Sequence, residues 1–246
     1  VIYKLEEYIT EKLVSDYVKE LTVEDFMKYM DSDDYDMFPD ADPIFRQINI
    51  GFNTYGDFNI IDPKTITRRS PNSMNNYTNL LASNLPSWKS YPKRNKSLIC
   101  GDFNRTSKHF QMGEENLFIV IPKTGSKIGM CADDFWDSFN FGELSDFGRN
   151  IKKQIGAGYD DDWSGFKKAI KKIDFDELKV NYSFDETKSV YQNINEMMNP
   201  RNNKFLLKKW DNNFKYDYRF FNVQEVWTDS TSLLIRYKTS KELKII

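Results

Sequence analysis

Hydrophobic residues recur with two different periods along this chain, and the changes from one to the other divide it. Over residues 1–21, Leu5, Tyr8, Ile9, Leu13, Tyr17, Val18 and Leu21 fall on one helical face with Lys, Glu and Asp opposite, which predicts an amphipathic helix. Thr22 followed three residues later by Asp25 is a helix-start signal and predicts a second, short helix over Val23–Met30. The polar run Asp31–Pro43 (DSDDYDMFPDADP) then interrupts the pattern as an acidic loop. Beyond it, β-formers mark strands at 44–50 (IFRQINI), 97–100 (SLIC), 117–121 (LFIVI), 216–227 and 232–237, with a helix at about residues 75–82 between the first two.

Residues 132–213 return to helical patterning. DDFWDSF (133–139) reads as an aromatic turn, IKKQIGAGYDDDWSGFKKAIKKIDFDELKV as two short helices around a Gly-rich bend, and the stretch from Asp185 as a helix stopped by Pro200. Lys208 and Lys209 fall on a solvated helical face in this scheme. Residues 228–231 form a turn that joins the last two strand segments as a hairpin. With no internal repeat, low-complexity tract or linker, the chain reads as one α+β domain over 1–246. It has N-terminal helices and an acidic loop (1–43), a strand-rich core, and a helical insertion at 132–213.

Composition changes this picture in three ways. The apolar fraction of 39% is modest, but 19 Phe and 14 Tyr supply large rings that fill a core. With 35 basic against 37 acidic residues, no global field draws the chain to nucleic acid or an anionic membrane. A single histidine, His109, and two cysteines, Cys100 and Cys131, argue against His-rich zinc sites, a disulfide framework and a histidine-based triad. No run of about eighteen apolar residues is present, so no membrane span is expected. The start, VIYKLEEYITEK, is not patterned as a secretory signal, and the expected location is a cytoplasm.

Candidate chemistry gathers around residues 91–131, where a basic turn, a strand, a polar segment and a second strand closing on Pro122 and Gly125 are organised like part of a ligand site. Arg46 sits inside an apolar strand, where its guanidinium must either meet an anion or snorkel from an edge. Arg68 and Arg69 beside Ser70, Asn72 and Asn76 form a donor-rich segment suited to a phosphate, or an ordinary polar loop. Glu225 alternates onto the same side as apolar neighbours, to serve a site or to pair with Arg236 across the hairpin. The acids of 31–42 and Asp160–Asp162 are solvated loops, or a cation site for a metal-dependent nuclease or phosphatase that lacks an ordered ligand motif.

The order of these features resembles the mono-ADP-ribosyltransferases of the Arg-Ser-Glu class. There a first strand carries an Arg, a second ends in a Ser-Thr-Ser-type motif followed by a helix with an aromatic residue, a third leads into Pro-x-Gly, and a late strand presents a catalytic Glu. The matching segments are IFRQI, SLICGDFNRTSKHF, LFIVIPKTGSKIG and FNVQEVW. Cys100-Gly101-Asp102 stands where the family has Ser-Thr-Ser, and Val223 stands two residues before the Glu.

The resemblance implies an antiparallel split β-sandwich and NAD as the co-substrate. Glu225 and Arg46 are the implied catalytic residues. Arg46 with Arg69 would hold the pyrophosphate, Ser97 or Asp102 would line the nicotinamide pocket, and Phe103 or Phe110 would cover the ring; no metal is called for. It implies a phage- or toxin-type effector that modifies a macromolecular acceptor, protein rather than nucleic acid, in a host cytoplasm or attached to a virion. A catalytically degenerate binding or virion protein with the same fold is the alternative.

Overall fold

The computed structural model describes residues 18–48, 56–65, 73–110, 116–132, 135–140, 144–156, 162–173, 184–218 and 224–245. The protein is α+β: a nine-stranded sheet and, among the described residues, seven α-helices. The strands are β1 (Val18–Glu20), β2 (Ile44–Gln47), β3 (Phe58–Ile61), β4 (Leu98–Gly101), β5 (Leu117–Pro122), β6 (Lys127–Cys131), β7 (Phe205–Lys209), β8 (Glu225–Thr228) and β9 (Ser232–Arg236). Their order is β1-β3-β9-β5-β2-β4-β8-β6-β7, and every neighbouring pair is antiparallel.

The helices are α1 (Val23–Met30), α2 (Ser73–Asn84), α3 (Phe103–Phe110), α4 (Leu144–Ile155), α5 (Trp163–Ile170), α6 (Val190–Met197) and α7 (Tyr237–Glu242). Local sequence explains several of their starts. Thr22 accepts the Asp25 N–H at α1, Asp162 accepts the Gly165 N–H at α5, and Ser189 with Gln192 closes a reciprocal capping box at α6. The cap of α6 is therefore Ser189, four residues beyond the Asp185 expected from the sequence. Asp185 instead forms a turn that accepts the Thr187 N–H.

Because successive strand residues point to opposite faces, the register divides the sheet into two sides. On one side Phe45, Ile119 and Ile235 pack with Phe26 of α1. The same side carries Trp227, Cys131 and Phe205, covered by Tyr77 and Leu81 of α2, Ile151 of α4, Phe166 of α5 and Ile194 of α6. Trp88 joins these helices to the sheet and donates its Nε1–H to Met198 O at 2.8 Å. On the other side Ile44, Leu98, Cys100, Phe118, Val120, Met130, Val226 and Leu234 pack under Trp210, Phe214 and Tyr216.

Several expectations are corrected here. Residues 1–17 lie outside the described residues, and Val18–Glu20 is a strand paired with β3, so the first helical pattern does not run through to Leu21. The last two strands are not a hairpin: β8 pairs with β4 and β6, whereas β9 pairs with β3 and β5. Arg236 consequently bonds Asp57 rather than Glu225. Lys208 and Lys209 lie on strand β7, not a helix, so the 132–213 segment adds a sheet edge as well as helices. The acidic loop is tied down rather than merely solvated: Asp42 meets Lys215 and the Tyr216 N–H, Asp40 meets Asn212, and Asp34 meets Lys123.

Candidate functional site

Glu225 opens strand β8 directly opposite Gly101 of β4 and Cys131 of β6, on the helix-covered side of the sheet. It is 2% exposed, a burial that an ionised carboxylate tolerates only with cationic or hydrogen-bonding partners. It has two. Arg94 Nη2 lies 2.6 Å from Oε1, and Arg105 Nη2 lies 2.6 Å from Oε2. The Arg105 contact is a directed hydrogen bond, whereas the Arg94 contact is close but off the hydrogen-bonding angle.

Each arginine is delivered by a local device. Arg94 starts a 3₁₀ turn, Arg94–Lys96, and its guanidinium lies over Phe135 at 4.5 Å and over Trp227 at 5.5 Å from the ring centroids. Trp227 can lie flat there because its cross-strand neighbour is Gly129: a Cβ at that position would fall 2.2 Å from the indole. Arg105 comes from the first turns of α3. Its stem crosses Gly101, where an added Cβ would fall 2.9 Å from Arg105 Cδ. Two glycines, one on each strand flanking β8, thus clear the floor of the site.

Asp102 anchors both sides of Glu225. Its Oδ1 accepts the Arg105 N–H at 2.7 Å, fixing the first turn of α3, and its Oδ2 accepts the Gln224 N–H at 3.2 Å, fixing the residue before Glu225. Cys131, also on this side, is buried, and its thiol is pushed well above its usual value by burial first and by the Glu225 charge second. Among the described residues the site therefore brings together the Glu225 carboxylate with Asp102 behind it, two guanidiniums, a neutral thiol and an aromatic wall of Phe135 and Trp227. Such a set can hold a carboxylate against cations and offer guanidinium donors to oxyanions.

The structure separates some of the residues nominated from the sequence. Arg46 is not beside Glu225. Phe45, Gly101 and Glu225 are in register across β2, β4 and β8, so Arg46, one residue on, faces the opposite side of the sheet. There it is partly buried and donates to Ile99 O, with the Cys100 sulfur beside it, and desolvation lowers its pKa below the usual arginine value. Ser97 precedes β4, four residues before the Gly101 that faces Glu225 and so roughly 13 Å from it along the strand at ordinary rise, and its hydroxyl donates to Lys93 O.

Phe103, 38% exposed at the start of α3, packs edge-on to Phe45 at 5.4 Å and beside Tyr237 at 5.7 Å. Phe110 ends α3. Arg69 lies outside the described residues, as do Asp160 and Asp161 of the second acidic run; Asp162 caps α5. Among the described residues no group of three or more His, Cys, Asp or Glu is placed to hold a metal ion, and no helix is long and apolar enough to cross a membrane.

Sequence reasoning missed Arg94 and Arg105. Both lie in the singled-out stretch, but PKRNK reads as a basic turn and GDFNRTSK as a polar segment, and only the fold brings the two to one carboxylate. The available signal was negative: a carboxylate at an inward strand position demands cations from elsewhere in the chain. Comparisons with protein-family profiles, with characterised proteins and with solved structures found no match.

Proposed function

We propose that this protein is an NAD-dependent mono-ADP-ribosyltransferase in which Glu225 is the catalytic carboxylate, with Arg94 and Arg105 as the guanidiniums of the site. The observation that carries the reading is Glu225 itself: an inward carboxylate on β8, 2.6 Å from two arginines. The three strands that the resemblance nominates for Arg, Ser and Glu, namely β2, β4 and β8, are consecutive neighbours in the sheet, which supports the expected ADP-ribosyltransferase-like arrangement. Arg46 belongs on this reading to the support of β2 and β4 rather than to NAD.

In the reaction the bond between nicotinamide and ribose C1′ breaks, and its electron pair leaves with the nicotinamide. An oxocarbenium-like ribose is attacked at C1′ by an acceptor nucleophile, which gives up its proton. Glu225 would stabilise the developing positive charge, and the guanidiniums would meet the pyrophosphate oxygens by charge-assisted bonds. Phe103, exposed near the start of the Arg105 helix, would offer a ring face to nicotinamide or acceptor. The test is NAD hydrolysis and transfer of label from NAD to lysate proteins and nucleic acids. Wild-type protein is expected to do both, and undiminished turnover by Glu225→Gln would overturn the assignment.

The near-complete burial of Glu225 favours one other reading, a partner-binding protein that keeps the fold but has closed the site. A thermal-shift titration separates the two: NAD at a hundred times its dissociation constant stabilises a true NAD-binding protein by about 2.7 kcal/mol, and a closed site not at all.

A further inference from the structure

Helix α5 carries its charge on one face. Phe166, Ile170 and Ile173 are buried in the core, while Lys167, Lys168, Lys171 and Lys172 are exposed. The helix ends at Ile170, but Lys171 keeps helical backbone angles and the Lys172 N–H bonds Ala169 O, so the four lysines continue as one stripe at spacings of three and four residues. Among the described residues none of the four meets a carboxylate. Asp162 caps the other end of α5, and Asp185 and Glu196, before and within α6, pair with Lys188. Like charges at these spacings repel one another, and an anion from outside relieves that repulsion.

Two half-buried rings adjoin the stripe. Trp163 opens α5 one turn before Lys167, stacked on Phe166 at an interplanar angle of 27° and 6.5 Å from the Tyr191 ring of α6. Lys167 Nζ lies 5.4 Å from the centroid of the same Tyr191 ring. We propose that this face binds single-stranded nucleic acid, with the lysines on successive phosphates and Trp163 and Tyr191 stacked on unpaired bases. A row of cations beside aromatic rings suits that partner. An anionic membrane calls for exposed apolar side chains beside the cations, whereas the aliphatic residues Ile170 and Ile173 are buried here. An acidic protein would use the lysines and leave the rings without bases, and a duplex keeps its bases stacked on one another. The surface stands apart from Glu225 and holds whether or not the chain turns over NAD.

The experiment is fluorescence anisotropy of an oligothymidylate of about twenty nucleotides, long enough for a single-strand site, titrated with the full chain between about 50 and 200 mM salt. Saturable binding is expected, with log affinity falling against log salt at a slope of about −2.8, which is about 0.7 for each of four phosphates neutralised. Lys168→Ala combined with Lys171→Ala should bring the slope to about −1.4, and Lys28→Ala on α1 should leave it unchanged. Trp163→Leu should weaken binding at least about fivefold, the loss of one stacked base, without moving the slope. Absence of binding at the lowest salt, or a slope that ignores the paired lysine substitutions, overturns the proposal. Binding of polyglutamate, of a duplex of the same length or of phosphatidylserine vesicles as tight as that of the oligonucleotide also overturns it. Circular dichroism establishes that the variants are folded; if Trp163→Leu is not, Tyr191→Leu takes its place.

Discussion

Arg94 is buried and Arg46 partly buried, and both stand beside strand β4, yet they lie on opposite sides of the sheet and meet different acceptors. Arg94 joins a carboxylate and two aromatic faces under the helices. Arg46, under Trp210, Phe214 and Tyr216, has a backbone carbonyl and the Cys100 sulfur. The difference shows why a buried arginine in a strand is a poor marker of function by itself. One charge is part of a set whose members would each be left uncompensated without the others, and the other is satisfied by a local carbonyl.

Substitutions can break this comparison. The largest effect is expected from Glu225→Ala, which leaves two buried guanidiniums without their carboxylate. It should cost about 3–5 kcal/mol of stability, read by denaturant unfolding, and should reduce NAD hydrolysis to background. Next is Gly129→Ala, which forces Trp227 off the sheet and with it the platform under Arg94. A loss of about 1–3 kcal/mol is expected, together with weakened NAD hydrolysis.

Arg46→Met should do far less. Replacing a partly buried charge that meets no carboxylate among the described residues by an apolar side chain of similar length is often neutral or stabilising, so its unfolding free energy should stay within about 1 kcal/mol of wild type. A collapse of activity in Arg46→Met with the fold intact would reverse the assignment of the two sides.

The smallest expected effect is an alkaline decline in stability. Burial pushes the Cys131 and Tyr216 groups well up and raises Tyr35 and Tyr91 to about 12. Their folded values lie above the unfolded ones, so the folded chain retains protons that the unfolded chain releases. Stability should be complete below about pH 8.5, the ordinary thiol value, and fall progressively from there toward pH 12. Thermal melts across that range measure the slope, and a rise in stability there would contradict the burial of these groups.

How far the sequence could be read depended on whether the signal was local. Thr22 with Asp25 marked the start of α1, and Val, Ile, Leu and Phe at 117–121 marked β5, because caps and strand-forming runs act within a few residues. Strands β6 and β7 are not among the strands the sequence marks: KIGMC carries a glycine, and the lysines of FLLKK suit a helical face. Both become strands by pairing with each other and, for β6, with β8. The hairpin reading of residues 216–237 failed for the same reason: adjacency in sequence suggested a partner, and longer-range pairings with β4, β5 and β3 prevailed.

The sequence by itself determined that this chain builds an aromatic-rich α+β body, and it singled out Glu225 as an inward carboxylate, because strand alternation is set by residue type. Which cations would meet that carboxylate was decided by tertiary structure alone. Arg46 and Arg94 lie 48 residues apart on either side of a helix, and nothing local tells which face of the sheet each will reach. That depends on the register of Phe45 with Gly101 and of Gly101 with Glu225, where a shift of one residue exchanges the two faces.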